Sequence, residues 1–147
     1  MATSDFTTNI WVDQTPNEAF NAIKSVTKWW TENLEGSSQK LNDEFSVRFD
    51  DMHFSNQKLI EVIPDKKIVW LVTDSKLSWL SNKTEWTNTK ICFDISSNDN
   101  KTQIHFTHIG LVPEVECYND CRKGWNQYFE SLFKLLTESK GQPDKKK

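Results

Sequence analysis

The sequence predicts an α+β fold in which a curved antiparallel sheet of about six strands closes around one long C-terminal helix. Three observations carry this. Strand-like segments fill the middle of the chain and short turns join them, which makes neighbours antiparallel. A long amphipathic stretch follows the last strand. Such a sheet must bury one face, and no other element is long enough to cover it.

Taken in order, Phe6, Thr8, Ile10 and Val12 form a first strand with one apolar face. "TPNEAF" starts a helix: Thr15 at the N-cap, Pro16 at the first helical position, and Glu18 completing a capping box. Ala19, Phe20 and Ile23 share one face of it. "TKWWTENL" predicts a second short helix. Neighbours on a helix diverge by about 100°, so one of Trp29 and Trp30 is expected in the core and the other at a rim or on the surface.

The polar run from Glu35 to Asn42 reads as a connection. "EFSVRFD" alternates as a strand, and Asp50, Asp51 and Met52 turn into a strand over His53–Ile63. Pro64, Asp65 and Lys66 have the residues of a tight turn. Lys67–Thr73 is a strand, and the polar loop from Asp74 is interrupted by Leu77–Leu80. Strands Trp86–Ser96 and Lys101–Ile109 are joined by "SNDN", a hairpin signal. The long helix runs from Glu114 to about Ser139. One domain is expected over 1–139, with 140–147 as a disordered basic tail.

Net charge is −3, which argues against phosphate-held nucleic acid. Only two of the 18 cations, Arg48 and Arg122, are arginines, so forked phosphate recognition is poorly supplied. "MATSDFTTNI" has no apolar stretch of signal-peptide length, and no run approaches a membrane span. Three cysteines fit a reducing compartment better than a disulfide framework. A soluble cytoplasmic protein is expected. Seven Trp and nine Phe supply more rings than one layer needs, a composition that also suits an apolar cavity.

The run from Phe106 to Trp125, "FTHIGLVPEVECYNDCRKGW", concentrates the reactive side chains. By strand parity His108 shares the apolar face of Ile104 and Phe106. On the helix, Cys117, Cys121, Trp125, Tyr128 and Leu132 make an inward stripe, widened by Phe129, Phe133 and Leu136. His108 with the two cysteines resembles a zinc set but lacks a fourth ligand, and a Cys–His nucleophile lacks a third orienting group. No metal, cofactor or catalytic residue is assigned. His108 remains open as a satisfied core histidine, a ligand contact or an acid–base group. Gly124, inside the helix, leaves space for a strand or a bound molecule. Trp70 shares parity with Ile68 and Val72. If Ile91, Phe93 and Ile95 define the buried face of their strand, Trp86 and Cys92 fall on the other.

The segments "TPNEAFNAI", "KWW", "EVIPDKKIVW", "EWTNTKICFDI", "TQIHFTHIGL" and "VPEVECYNDCRKGWNQYFESLFKLL" with "GQP" together resemble the family named for activators of the heat-shock protein 90 ATPase. That family belongs to the START-like, or SRPBCC, superfamily with the helix-grip fold, and the likeness spans Phe6 to Pro143. The resemblance implies a hydrophobic ligand held between sheet and helix, where some members act as cyclases, dehydratases or hydrolases. It also implies a chaperone as an alternative partner, while charge and hydropathy argue against nucleic acid and membrane as partners. Trp70, Phe106, His108, Cys117, Cys121, Trp125 and Tyr128 are the expected ligand contacts.

Overall fold

The computed structural model describes residues 5–49, 53–78, 80–81, 83–98, 100–113, 115–116 and 118–141. The turn expected at 50–52, Trp79, Glu114, Cys117 and the lysine tail lie outside these residues; the long helix expected from Glu114 begins instead at Tyr118, because Val115 and Glu116 form a bend and a turn before it.

Seven strands and three helices follow one another as β1 (Phe6–Val12), α1 (Pro16–Lys24), α2 (Val26–Trp29), β2 (Leu34–Gly36), β3 (Glu44–Phe49), β4 (His53–Ile63), β5 (Lys67–Leu77), β6 (Lys90–Asn98), β7 (Lys101–Ile109) and α3 (Tyr118–Glu138). The strands form a single sheet in the order β1-β7-β6-β5-β4-β3-β2, every neighbouring pair antiparallel. The α+β helix-grip architecture is therefore present, with one strand more than the pattern suggested. The extra strand, β2, occupies part of the run read as a connection. Its three residues pair with β3, and so short a polar segment has no periodicity to betray it.

Two further boundaries differ. β5 continues to Leu77 across a register shift against β4 between Asn56 and Gln57. Opposite that shift Thr73 and Asp74 are both exposed, which breaks the alternation and makes the segment look like loop. β6 begins at Lys90 rather than Trp86, because residues 83–88 form turns.

At α1 the capping box is complete: Glu18 N–H donates to Thr15 Oγ1 at 3.1 Å, and Thr15 N–H to Glu18 Oε1 at 3.3 Å. Ala19, Phe20 and Ile23 are buried as their spacing requires. α3 lies over the inner face of the sheet and buries Cys121, Trp125, Phe129, Leu132 and Leu136. Phe133 departs from the expected stripe. It is 38% exposed, because it sits about 100° round the helix from Leu132.

Trp29 and Trp30 also depart from expectation, since both are buried. α2 is a single turn wedged between the sheet and α3. Trp29 meets Phe93 and Phe129, whereas Trp30 lies over Trp70 and meets Trp125. Thr27 and Lys28 carry the exposed side of this helix, and Trp30, at its C-cap, turns in against Trp70 and Trp125, so divergence does not send either ring to solvent. Among the described residues, no helix is long and apolar enough to cross a membrane.

Candidate functional site

The inner face of the sheet is not uniformly apolar. Toward α1 it carries Val12, Ile95 and Ile104, whereas toward the 83–89 turns it carries buried Ser55, Gln57, Ser75 and His108. The second group is tied into a hydrogen-bonded cluster. Ser75 Oγ and Thr87 Oγ1 lie 2.8 Å apart. His53 Nε2 is 3.0 Å from Ser55 Oγ, which in turn accepts from Gln57 Nε2.

His108 is the centre of this end. It is fully buried, and Trp125 Nε1–H donates to its Nδ1 at 3.1 Å. Indole is only a donor, so Nδ1 carries no proton and Nε2 does. Nε2–H then donates to Thr89 Oγ1 at 2.9 Å, and the threonine hydroxyl donates to Trp86 O at 2.6 Å. Every donor in this chain is used. Burial, with the neighbouring His53 adding to it, lowers the His108 pKa to about 3. Burial lowers His53 to a similar value, although its side chain keeps partial exposure. Both imidazoles are neutral at pH 7.

Trp86 holds the two histidines together. Its ring meets His53 and His108 edge-on at 4.7 and 4.8 Å and stacks on Trp125 at 5.9 Å. Its Nε1–H donates to the Cys121 sulfur at 3.3 Å. The expectation that Trp86 lies on the outer face fails, because it belongs to a turn that folds inward rather than to β6. Cys92, on the strand itself, does lie opposite Ile91 and Phe93. It is buried and free, and burial raises its thiol pKa.

The structure brings Trp70, Phe106, Cys121 and Trp125 into one apolar interior, with buried His108 against Trp125. Trp70 contacts Trp30, Phe45 and Phe93, and Phe106 contacts Trp125 and Phe129, with ring centroids 4.6–5.8 Å apart. The chain's own rings thus occupy much of the space where a ligand was expected. Tyr128 is half-buried, its ring edge-on to Trp30 at 6.4 Å. Cys121 is disulfide-bonded, so it offers no thiolate, and the reading of three reduced cysteines does not hold for it. Among the described residues no cluster of His, Cys, Asp or Glu could hold a metal ion.

Gly124 has no close-packing role. Among the described residues, a Cβ built there meets only Tyr128 Cε2, at 3.9 Å. Gly110 is different, with φ +104° and a built Cβ 2.7 Å from Thr89 Cγ2. It ends β7 and lets Thr89 stand against His108.

Gln57 and Trp70 complete the site, and Gln57 escaped the sequence reading. Both are fully buried. Among the described residues, Gln57 Oε1, Trp70 Nε1 and Gln14 Oε1 are the buried side-chain atoms without a hydrogen-bond partner. Sequence offered one hint for Gln57: Ser55 and Gln57 share parity with Leu59, so a polar pair enters an inward row. Elsewhere, surface depressions of about 590 and 310 Å³ lie beside Thr15–Asn17 and Lys24–Lys28, neither touching these residues.

Solved structures with the same fold support the architecture. The Aha1 dimer from Colwellia psychrerythraea is 23% identical, with 96% of this chain and 100% of that one aligned at a TM-score of 0.76. Protein MLL2253 from Mesorhizobium loti is 16% identical over 91% and 98% of the two chains, at 0.70. Protein SSP2350 from Staphylococcus saprophyticus is 14% identical over 94% and 95%, also at 0.70. Among curated proteins none matches. The family model described as Activator of Hsp90 ATPase homolog 1-like protein matches residues 14–137, and the chain belongs to that family.

Proposed function

We propose that the protein is a small-molecule-binding module that admits an apolar or aromatic ligand between the sheet and α3. The carrying observation is the pair of fully buried side chains, Gln57 and Trp70, each with a polar atom left bare. A bare buried donor or acceptor costs about 1–3 kcal/mol, and natural interiors keep few of them. A molecule that bonds to these atoms on arrival removes that cost.

Because rings already fill much of the interior, a ligand takes its place by displacing a side chain. Tyr128 is the one best placed to move. It is half-buried on α3 and stands over Gly124, where a built Cβ meets, among the described residues, only Tyr128 Cε2 outside the helix backbone and its chain neighbours. Binding then draws the chain toward a conformer with Tyr128 swung aside. Trp70, Phe106 and Trp125 would give the ligand its apolar contact, with Cys121 at the His108 end; Cys117 lies outside the described residues. His108 would act as a wall rather than a hydrogen-bonding hand, since both its nitrogens are engaged.

Mass spectrometry of compounds retained by the natively purified protein, with Trp fluorescence titration against a hydrophobic library, tests this reading. A retained apolar compound that quenches saturably supports it. A library without one saturable response sinks it. The engaged His108 gives no support to acid–base catalysis. The family description favours a second reading, action on an Hsp90-type chaperone, and a pull-down with an ATPase assay decides whether that applies here.

A further inference from the structure

We infer that the ligand is an uncharged molecule whose polar end both donates and accepts a hydrogen bond, as an alcohol or a primary amide does. That end bonds to Gln57 Oε1 and Trp70 Nε1–H. The inference rests on the binding reading above and adds the chemistry of the ligand's head.

Placement comes first. Gln57 stands opposite Val72 and Trp70 opposite Leu59, so the two are diagonal neighbours on β4 and β5. Such neighbours are roughly 7–8 Å apart, within reach of one another through long side chains. Both face the interior. The proposed small polar group lies between these two side chains, bonded to both.

The two bare atoms are of opposite kind. Trp70 Nε1–H only donates. The Gln57 amide donates its Nε2–H to Ser55 Oγ, leaving Oε1 as an acceptor. The match requires one acceptor and one donor on the same small group. A ketone or ether serves Trp70 alone, and an amine without a free acceptor serves Gln57 alone.

Charge supplies the third constraint. Among the described residues no Asp, Glu, Lys or Arg is buried, so no counter-charge is available at this depth. A carboxylate or ammonium lodged there would stand unpaired, and that is far more costly than a neutral polar group. The aromatic surroundings, with Phe45 and Phe93 about 5.0 and 4.8 Å from Trp70, suit the apolar remainder of the molecule.

The experiment titrates the ¹⁵N-labelled full chain at pH 7.5 with three probes of equal ring size: 2-naphthylmethanol, 2-methylnaphthalene and 2-naphthoate. The Trp70 indole N–H resonance is followed throughout. The alcohol is expected to bind about tenfold more tightly than either of the others and to move that resonance. Gln57→Leu and Trp70→Phe are each expected to bring the alcohol down to the affinity of the hydrocarbon. Two variants are used so that one remains informative if the other melts early. Tighter binding of naphthoate overturns the inference. So do equal affinities of alcohol and hydrocarbon with an unmoved indole, which would mean that internal water serves the two atoms; in both cases the binding module stands. If none of the three binds, the binding reading itself falls and the inference with it.

Discussion

Trp125 Nε1–H and His108 Nδ1 are joined by a 3.1 Å hydrogen bond that ties α3 to the last strand and fixes the imidazole as its Nε2–H tautomer. The bond explains why a histidine is tolerated with no exposure to water. A neutral imidazole in that tautomer finds an acceptor in Thr89 and a donor in Trp125, so nothing on the ring is left bare. Protonation would put a second hydrogen where the indole N–H already points.

Stability should therefore depend on pH. The unfolded chain binds a proton on histidine near pH 6.5, but folded His108 does so only near 3. The contribution is whole above about 6.5 and declines as pH falls toward 3, by up to about 1.4 kcal/mol per unit. His53 acts in the same direction, more weakly because it is partly exposed. Urea unfolding at pH 7.5 and 5.0 is expected to show a clearly lower midpoint at 5.0. His108→Gln should remove most of the difference; an equal slope in the variant would place its origin elsewhere.

Trp125→Phe keeps an aromatic ring and deletes the donor. His108 Nδ1 is then bare in a dry interior, at a cost of about 1–3 kcal/mol, with the smaller ring's reduced stacking on Trp86 added. Denaturant midpoints measure this, and a change below a few tenths of a kcal/mol would mean the bond contributes little.

Gly124→Ala is expected to stabilise the unliganded protein by about 0.5–1 kcal/mol, the helix preference of alanine over glycine. Among the described residues, the new methyl has only Tyr128 Cε2 nearby, at 3.9 Å. If Tyr128 must swing for a ligand to bind, the same variant should bind more weakly. A fall in melting temperature would show that the space is already used.

Gly110→Ala should act the other way. A φ of +104° is strained for alanine, and its methyl would press on Thr89 Cγ2. Backbone strain of this kind costs of order 1–3 kcal/mol, and displacing Thr89 loosens His108. Calorimetry reads the first effect, and the ¹⁵N shifts of the His108 ring read the second.

The elements that could be read from sequence are those with a single unbroken period. The Thr15–Glu18 capping box, the inward parity of Ile104, Phe106 and His108, and the Cys121–Trp125–Leu132 stripe all appear where spacing puts them. What escaped depends on partners distant in the chain. Trp30 is buried only because α3 passes over α2, and Trp86 turns inward only because residues 83–88 fold under α3. Gln57 was hidden by β4 itself. Its apolar residues fall on both parities, Phe54 and Ile60 against Leu59 and Ile63, and two register shifts against β5 disturb the alternation. Only the pairing shows which row faces inward. Ligand contact by the seven expected residues rests on the binding proposal, to which the structure adds Gln57.

A crystal structure of the protein soaked with 2-naphthylmethanol addresses the central claim most directly. The account predicts the naphthalene between Trp70 and α3, its hydroxyl within hydrogen-bond distance of Gln57 Oε1 and Trp70 Nε1, and Tyr128 moved from its place beside Trp30. Density for the compound only on the outer surface, with the interior rings unmoved and both polar atoms still bare, would contradict it.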